Sequence, residues 1–336
     1  MAITLAVAIT ATGLLLLGAL AWLGLPSTTG QKPTVAEFLD TLKIVLAVVG
    51  GIGGVVALVV AYRKQRITEE ENHRARETAR REDIKLYVDR FDKASGKLGD
   101  ASAAVRLAAV HALAALADDW EGGRQMCIDV LCAYLRMPPD PEPDREIDPG
   151  AHTAWQAMGE VRTTIWRLIA VHLRADAPIP WHGADLDFTG VTINSDIDFT
   201  YTVFSGQVSF DHARFADGMV SFLGARFVGG HVSFEHAAFS GAMVWFGSVF
   251  AGGHVSFGHA NFCGSEVWFR GAIFADGRVS FDDTAFSGGE VSFDHVAFAG
   301  GQVSFRNANF SGAKVSFTEV ADWSHPPEGL PPDIQT

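Results

Sequence analysis

Between residues 208 and 317 the apolar positions recur with gaps of five and seven. Phe210, Phe215, Phe222, Phe227, Phe234, Phe239 and Phe246 set the rhythm. One short gap, from Phe246 to Phe250, interrupts it. The rhythm resumes through Phe257, Phe262, Phe269, Phe274, Phe281, Phe286 and on to Phe317. A small or branched apolar residue stands two places before nearly every Phe of this tract, as in Val208–Phe210 and Ala213–Phe215. Residues two apart share a face of a strand, so the pattern predicts short strands that bury these pairs. Gly229–Gly230, Gly252–Gly253, Gly288–Gly289 and Gly300–Gly301 mark tight turns. A fixed period of this kind marks a repeat architecture, whose stacked units bury what one unit cannot.

A second period sets the size of one coil. The residue before Phe, directed outward, is Ser209, Ser233, Ser256, Ser280 and Ser304 in one series. In the alternate series it is Ser221, Trp245, Trp268, Ser292 and Ser316. The two Trp occur in one series only. His212, His236 and His259 follow the same long spacing. The spacing therefore predicts a coil of about 24 residues with four short faces, stacked at ~4.8 Å per coil. Each buried Phe contributes about 1.5–3 kcal/mol before entropy is subtracted.

This tract resembles the pentapeptide-repeat proteins, whose unit is A-(D/N)-(L/F)-x-x. Ala184-Asp185-Leu186, Ala260-Asn261-Phe262 and Ala308-Asn309-Phe310 match it literally. The resemblance covers residues 181–317 and implies a right-handed, four-faced β-helix. The family's coil is built from five-residue faces; here two of the four faces carry two extra residues. Gly99–Trp120 and Gln125–Arg136 also resemble the helical module that precedes this β-helix in bacterial membrane-anchored members.

The N-terminal part follows other periods. Residues 3–25 and 44–62 hold no charge, and each is near the length that crosses a bilayer. Basic residues follow the second stretch: Arg63, Lys64, Arg66, Arg74, Arg76, Arg80 and Arg81. The loop between the stretches carries only Lys32 and Lys43. The bias predicts a two-helix transmembrane hairpin over residues 1–62, a multi-pass anchor in the cell membrane with both termini cytoplasmic. Gly50 and Gly54 form a G-x-x-x-G pair, which reads as a homodimer contact or as close packing on the first span. Residues 63–83 read as a charged juxtamembrane helix, with Glu70/Arg74 and Glu77/Arg81 as favourable i,i+4 pairs. Residues 84–180 predict a small all-α adaptor. Leu107, Val110, Leu113 and Leu116 mark its first apolar stripe; Ile128, Leu131 and Leu135 mark the second; Val161, Ile165 and Ile169 mark the third. A Pro-rich linker, 138–150, separates the last two. The adaptor is expected to cover the open first coil near Trp181, and residues 318–336, with Trp323, to form a C-terminal cap or tail.

Charge narrows the partners. The net charge is −13, and most of it belongs to the solenoid tract, which argues against direct nucleic-acid binding. The same acidity admits one alternative. Some soluble pentapeptide-repeat proteins mimic duplex DNA and bind DNA gyrase. The three cysteines, Cys127, Cys132 and Cys263, lack metal or redox spacing and read as free thiols. His212, His236 and His259, stacked on one corner, could share a zinc or copper ion; Asp283 and Asn307 at equivalent places suggest instead a corner that tolerates polar residues. Asp211, Asp282 and Asp294 raise calcium, without the period or the G-G-x-G-x-D order of calcium solenoids. The chain carries no nucleophile–base set, phosphate loop or H-E-x-x-H motif, so neither an enzyme nor a cofactor is expected. Trp245 and Trp268, with Met243 and Arg270 beside them, are the candidate partner site, an exposed aromatic pair of hot-spot composition. The reading is a membrane-anchored, non-enzymatic scaffold that binds an unidentified protein at the bilayer.

Overall fold

The computed structural model describes residues 35–331, with backbone only at 37, 38, 41, 45 and 70, and before them residues 10, 13, 14, 17, 18 and 21. The chain divides into two compact units, residues 1–84 and 85–336.

Helix α1 (Val35–Lys97), of which residues 35–84 fall in the first unit, begins before the apolar stretch 44–62 and continues through the charged tract without a break. Ile44, Leu46, Val55 and Leu58 are all exposed. A helix that is apolar on every side suits a bilayer rather than a protein core. It is the one helix among the described residues that is long and apolar enough to cross a membrane. The first predicted span falls mostly outside the described residues, so the hairpin rests on sequence alone. A Cβ at Gly50 or Gly54 would meet no heavy atom within 4 Å. Along the charged stretch, Glu77 lies 3.3 Å from His73; the side chain of Glu70 is outside the described set.

The second unit opens with the helical module. Helices α2 (Ala103–Asp119), α3 (Arg124–Arg136) and α4 (Pro149–Leu173) follow the three apolar stripes. Leu113, Leu116, Ile128, Leu131, Leu135, Val161, Ile165 and Ile169 are buried where they meet. Asp148 caps α4 by accepting from Ala151 N at 2.8 Å, with Pro149 in the first turn.

The rest is a parallel β-solenoid of about five coils with about 24 residues per turn. Its strands fall into two sheets. One runs in the order Leu186–Asp187, Gln207–Ser209, Arg226–Ser233, Val249–Ser256, Ile273–Ser280 and Ala297–Phe298. The other contains the strands Met219–Ser221, Met243–Trp245, Asn261–Trp268, Ala285–Ser292 and Lys314–Ser316. Register carries Leu186 onto Val208, Val232, Val255, Val279 and Val303 in successive coils.

The core is four stacks of Phe, one for each face of the coil. Phe210, Phe234, Phe257, Phe281 and Phe305 stack face to face at 4.6–4.9 Å. Phe246 meets Phe234 edge to face at 5.5 Å and 89°. The other three stacks, through Phe215, Phe239, Phe262 and Phe286, through Phe222, Phe246 and Phe269, and through Phe227, Phe250 and Phe274, are buried at ring spacings of 4.5–5.0 Å. The extra residues of the seven-residue gap form a bulge at the Gly pairs, where the register slips. At Gly230 a Cβ would come within 2.1 Å of the Gly206 carbonyl oxygen of the coil before, and its φ is +66°. Only glycine fits there.

The other corners are four-residue turns. Ala213 N donates to Phe210 O at 3.0 Å, and the third residue, His212, takes φ +57°. His236, His259, Asp283 and Asn307 occupy the same place in later coils at φ +57° to +58°. His, Asp and Asn are the side chains that tolerate this left-handed conformation best. The shortened gap drops one such turn: Ser248 N donates to Phe246 O at 2.6 Å, and Ser248 Oγ donates to Phe222 O at 2.7 Å.

Both ends of the column are covered by the chain itself. Trp166 of α4 packs on Phe188 at 4.7 Å and on Phe199 at 6.0 Å. Gln125 and Arg136 of α3 donate to the backbone carbonyls of Asp185 and Asp187 at 2.7 Å, reaching the first strand's edge. Trp181 is buried, stacks on His172 at 4.0 Å and donates to Asp118 Oδ1 at 3.1 Å. At the far end Trp323 stacks on Phe298 at 5.2 Å, and Phe305 N donates to Glu328 O at 2.8 Å.

The corner geometry predicts a sign. His236→Gly should leave stability unchanged or raise it, whereas His236→Val, β-branched at positive φ, should cost about 1–2 kcal/mol. Urea unfolding of the two variants followed by circular dichroism checks this.

Candidate functional site

On the outer face of the repeat, each Ser before a Phe has a local task. Ser209, Ser233, Ser256, Ser280 and Ser292 accept from the backbone N–H two residues on at 3.2–3.3 Å, which fixes the corner. The neighbouring carboxylates tie one coil to the next. Asp282 Oδ1 accepts from Ser304 Oγ and from Arg306 N, the latter at 3.0 Å, and Arg306 Nη2 donates to its other oxygen at 2.9 Å. Asp294 Oδ1 accepts from Thr318 N at 2.8 Å, and Asp211 Oδ1 from Glu235 N at 3.1 Å. Burial alone would raise the Asp282 and Asp294 carboxyls, but the hydrogen bonds outweigh it and hold both below the ordinary value. These three Asp, considered above for calcium, work as rungs between coils.

Trp245 and Trp268 break this pattern. Register aligns Ser221, Trp245, Trp268, Ser292 and Ser316 in one column. The two indoles stack at 5.2 Å and 16°. Both are half-buried rather than fully exposed as expected. Their Nε1–H groups are buried and have no hydrogen-bond partner, so the exposed part of each ring is carbon. Leaving a buried donor unpaired costs about 1–3 kcal/mol, and the Ser cap of the corner is lost as well. Met243 lies on the same strand face as Trp245, with Met219 beside it in the preceding coil. Leu223 is exposed and leans over Gly247, where an added Cβ would come within 2.9 Å of its Cδ1. Arg270 is drawn toward the next coil: its Nη2 lies 3.3 Å from His295 Nε2, and His295 Nδ1 lies 3.3 Å from Glu319. The structure thus joins Met243, Trp245 and Trp268 in one apolar patch and adds Met219 and Leu223, which sequence reading missed. Arg270 belongs to a neighbouring polar network. The helical module packs on the first coil, two coils before Trp245 in this column, so it is not what covers the rings.

The histidine corner is regular too. His212, His236 and His259 stack at 4.9 Å with planes within 4–7°. In-plane ring lone pairs on parallel stacked imidazoles do not converge on one point, and among the described residues no group of three or more His, Cys, Asp or Glu is placed to hold a metal. A second stack, His231 on His254 at 5.0 Å, continues in register to Arg278. Burial, His231 and Arg278 push His254 below the ordinary histidine value. It borders a groove of about 940 Å³ in which Arg306 pairs with Asp282 and Arg278 donates to Gln302. Burial pushes the Cys127 and Cys132 thiols up to about 11 and about 12 respectively, so both stay protonated and inert at neutral pH.

Asp282 and Asp294 set a pH dependence. Their folded pKa lies below the unfolded value of about 3.9, so their stabilisation is present above that value and is lost as pH falls through the folded one. Between about pH 6 and pH 3 the wild-type melting temperature should therefore fall more than that of Asp282→Asn/Asp294→Asn, as scanning calorimetry at each pH would measure. No family model, curated protein or solved structure matches this chain.

Proposed function

We propose that this protein is a non-enzymatic scaffold of the pentapeptide-repeat type, held at the cell membrane by a two-helix hairpin, with its solenoid in the cytoplasm. The carrying observation is the Trp245–Trp268 ladder. At two adjacent coils the repeat gives up a capping Ser and leaves two indole N–H groups unpaired. A site that breaks a local rule at a stability cost is where function is expected. What the exchange presents is carbon: two stacked ring edges with Met243 and Met219 on a rigid strand face, and Leu223 at the turn beside it. Such a patch suits the apolar anchor of a protein partner.

Membrane attachment draws support from the exposed apolar stretch of α1 and from the basic residues that follow it. The four-faced coil with two bulged faces, and the helical module before it, support the family reading. The gyrase-directed or other DNA-mimic alternative draws less support. Its acidic face is interrupted, since Asp211, Asp282 and Asp294 are engaged between coils and Glu290 pairs with Lys314 at 2.9 Å.

Two readouts of one variant test the scaffold reading. Trp245→Ser/Trp268→Ser restores the repeat's own residue. The variant should melt at the same or a higher temperature than wild type. It should also lose a partner that wild type retains in co-purification from detergent-solubilised native membranes. A lower melting temperature with an unchanged partner list would make the ladder structural. Gyrase subunits retained by both forms would favour the DNA mimic.

A further inference from the structure

A crevice in the second unit, between the helical module and the first coil, joins apolar walls to positive charge. Its volume is about 390 Å³, within the ~300–1,000 Å³ of small-molecule sites. Met137, Trp155, Met158 and Trp166 form its apolar walls. Thr192 and Asn194 of the first coil border the other side.

Two guanidinium groups reach it. Arg106 Nη1 donates to Tyr134 Oη at 3.0 Å, its Nε donates to the Asp100 carbonyl, and its guanidinium carbon lies 5.9 Å from the Tyr134 ring centre. Arg162 donates to the carbonyls of Leu135 at 2.7 Å and Met137 at 2.9 Å, closing the end of α3. Among the described residues, neither forms an ion pair with a carboxylate. In a chain of net charge −13, the bonds of both half-buried arginines go to neutral oxygens. Burial lowers the Arg162 pKa from its ordinary value, consistent with a cation short of counter-charge. Asp140 is the carboxylate in the lining, and its backbone carbonyl accepts from Trp155 Nε1 at 2.9 Å. That bond, with His152 Nδ1 at 3.2 Å from Pro143 O, ties the Pro-rich loop to α4 and holds the crevice open in advance of a ligand.

We propose that this crevice binds a small organic anion with a flat apolar body. The acid group, a carboxylate or phosphate, takes the free donors of Arg106 beside the Tyr134 hydroxyl. The body lies against Trp155, Met158 and Trp166. Because α2, α3, α4 and the first coil all contribute, the ligand stabilises their docking by binding only the folded form.

The test uses the full chain in detergent, with calorimetric titration and thermal unfolding as readouts. The probes are 2-naphthoate and 2-naphthyl phosphate, with 2-naphthylmethanol as the neutral body and inorganic sulfate as charge alone. At least one naphthyl anion should bind wild type and raise its melting temperature, and whichever binds more tightly identifies the acid group. The alcohol and sulfate should bind at least about tenfold more weakly. Arg106→Met should weaken the anion about tenfold or more, and Arg106→Lys less. Gly159→Phe fills the crevice from α4, where an added Cβ meets nothing within 4 Å, and should abolish binding while leaving the melting temperature of the free protein intact. The proposal is overturned if neither anion binds, if the alcohol binds as well as the anion, or if Arg106→Met and Gly159→Phe bind like wild type.

Discussion

The hydrogen bond from each coil to the next is the constraint on which everything else depends. A single coil of short parallel strands leaves nearly every backbone group unpaired and one face of Phe exposed. Stacking satisfies both at once, but only if coil length is conserved closely enough to keep Val on Val and Phe on Phe. The deviations that occur are absorbed locally, by the Gly bulges and by the Ser248 turn that replaces a left-handed corner. The first and last coils have no neighbour on one side. The helical module and the tail fill those places with Trp166 and Trp323, each seated on a Phe of the column.

The same constraint sorts side chains into those that build the repeat and those that do not. Ser before Phe caps a corner. Asp after Phe binds the next coil. His, Asp or Asn at the third turn residue accepts a positive φ. Once these tasks are assigned, much of the polar surface that suggested metal or calcium chemistry is accounted for by the fold. What remains unexplained by the repeat is small: an aromatic ladder on one outer face, and two arginines in a crevice beside the helical module.

The core was legible in the sequence because its signal is periodic. Gaps of five and seven between Phe residues state the strand faces and the coil length directly. The three helices of the module were legible for the same reason, from apolar stripes ending at Leu116, Leu135 and Ile169. The left-handed corners could be read only by comparing His236 with its equivalents Asp283 and Asn307, since no single position reveals its φ. The inward turn of the two indole N–H groups was not legible, because a Ser-to-Trp change states a side chain's size and not its rotamer. Nor was the crevice, whose parts, from Arg106 through Trp155 to Asn194, meet only after the helices dock on the first coil. The apolar stretches at the N-terminal end stand between these cases: the structure carries the stretch 44–62 within one helix from Val35 to Lys97, and the stretch 3–25 lies mostly outside the described residues.

The central claim is that the sheet carrying the Trp ladder is the docking face of an otherwise inert solenoid. Site-specific photocrosslinking in native membranes tests it most directly. A benzoylphenylalanine at Met219, beside the ladder, should yield a discrete protein adduct. The same probe at Gln207, exposed on the other sheet, should yield none. Equal labelling from both positions, or an adduct from Gln207 alone, would contradict the account.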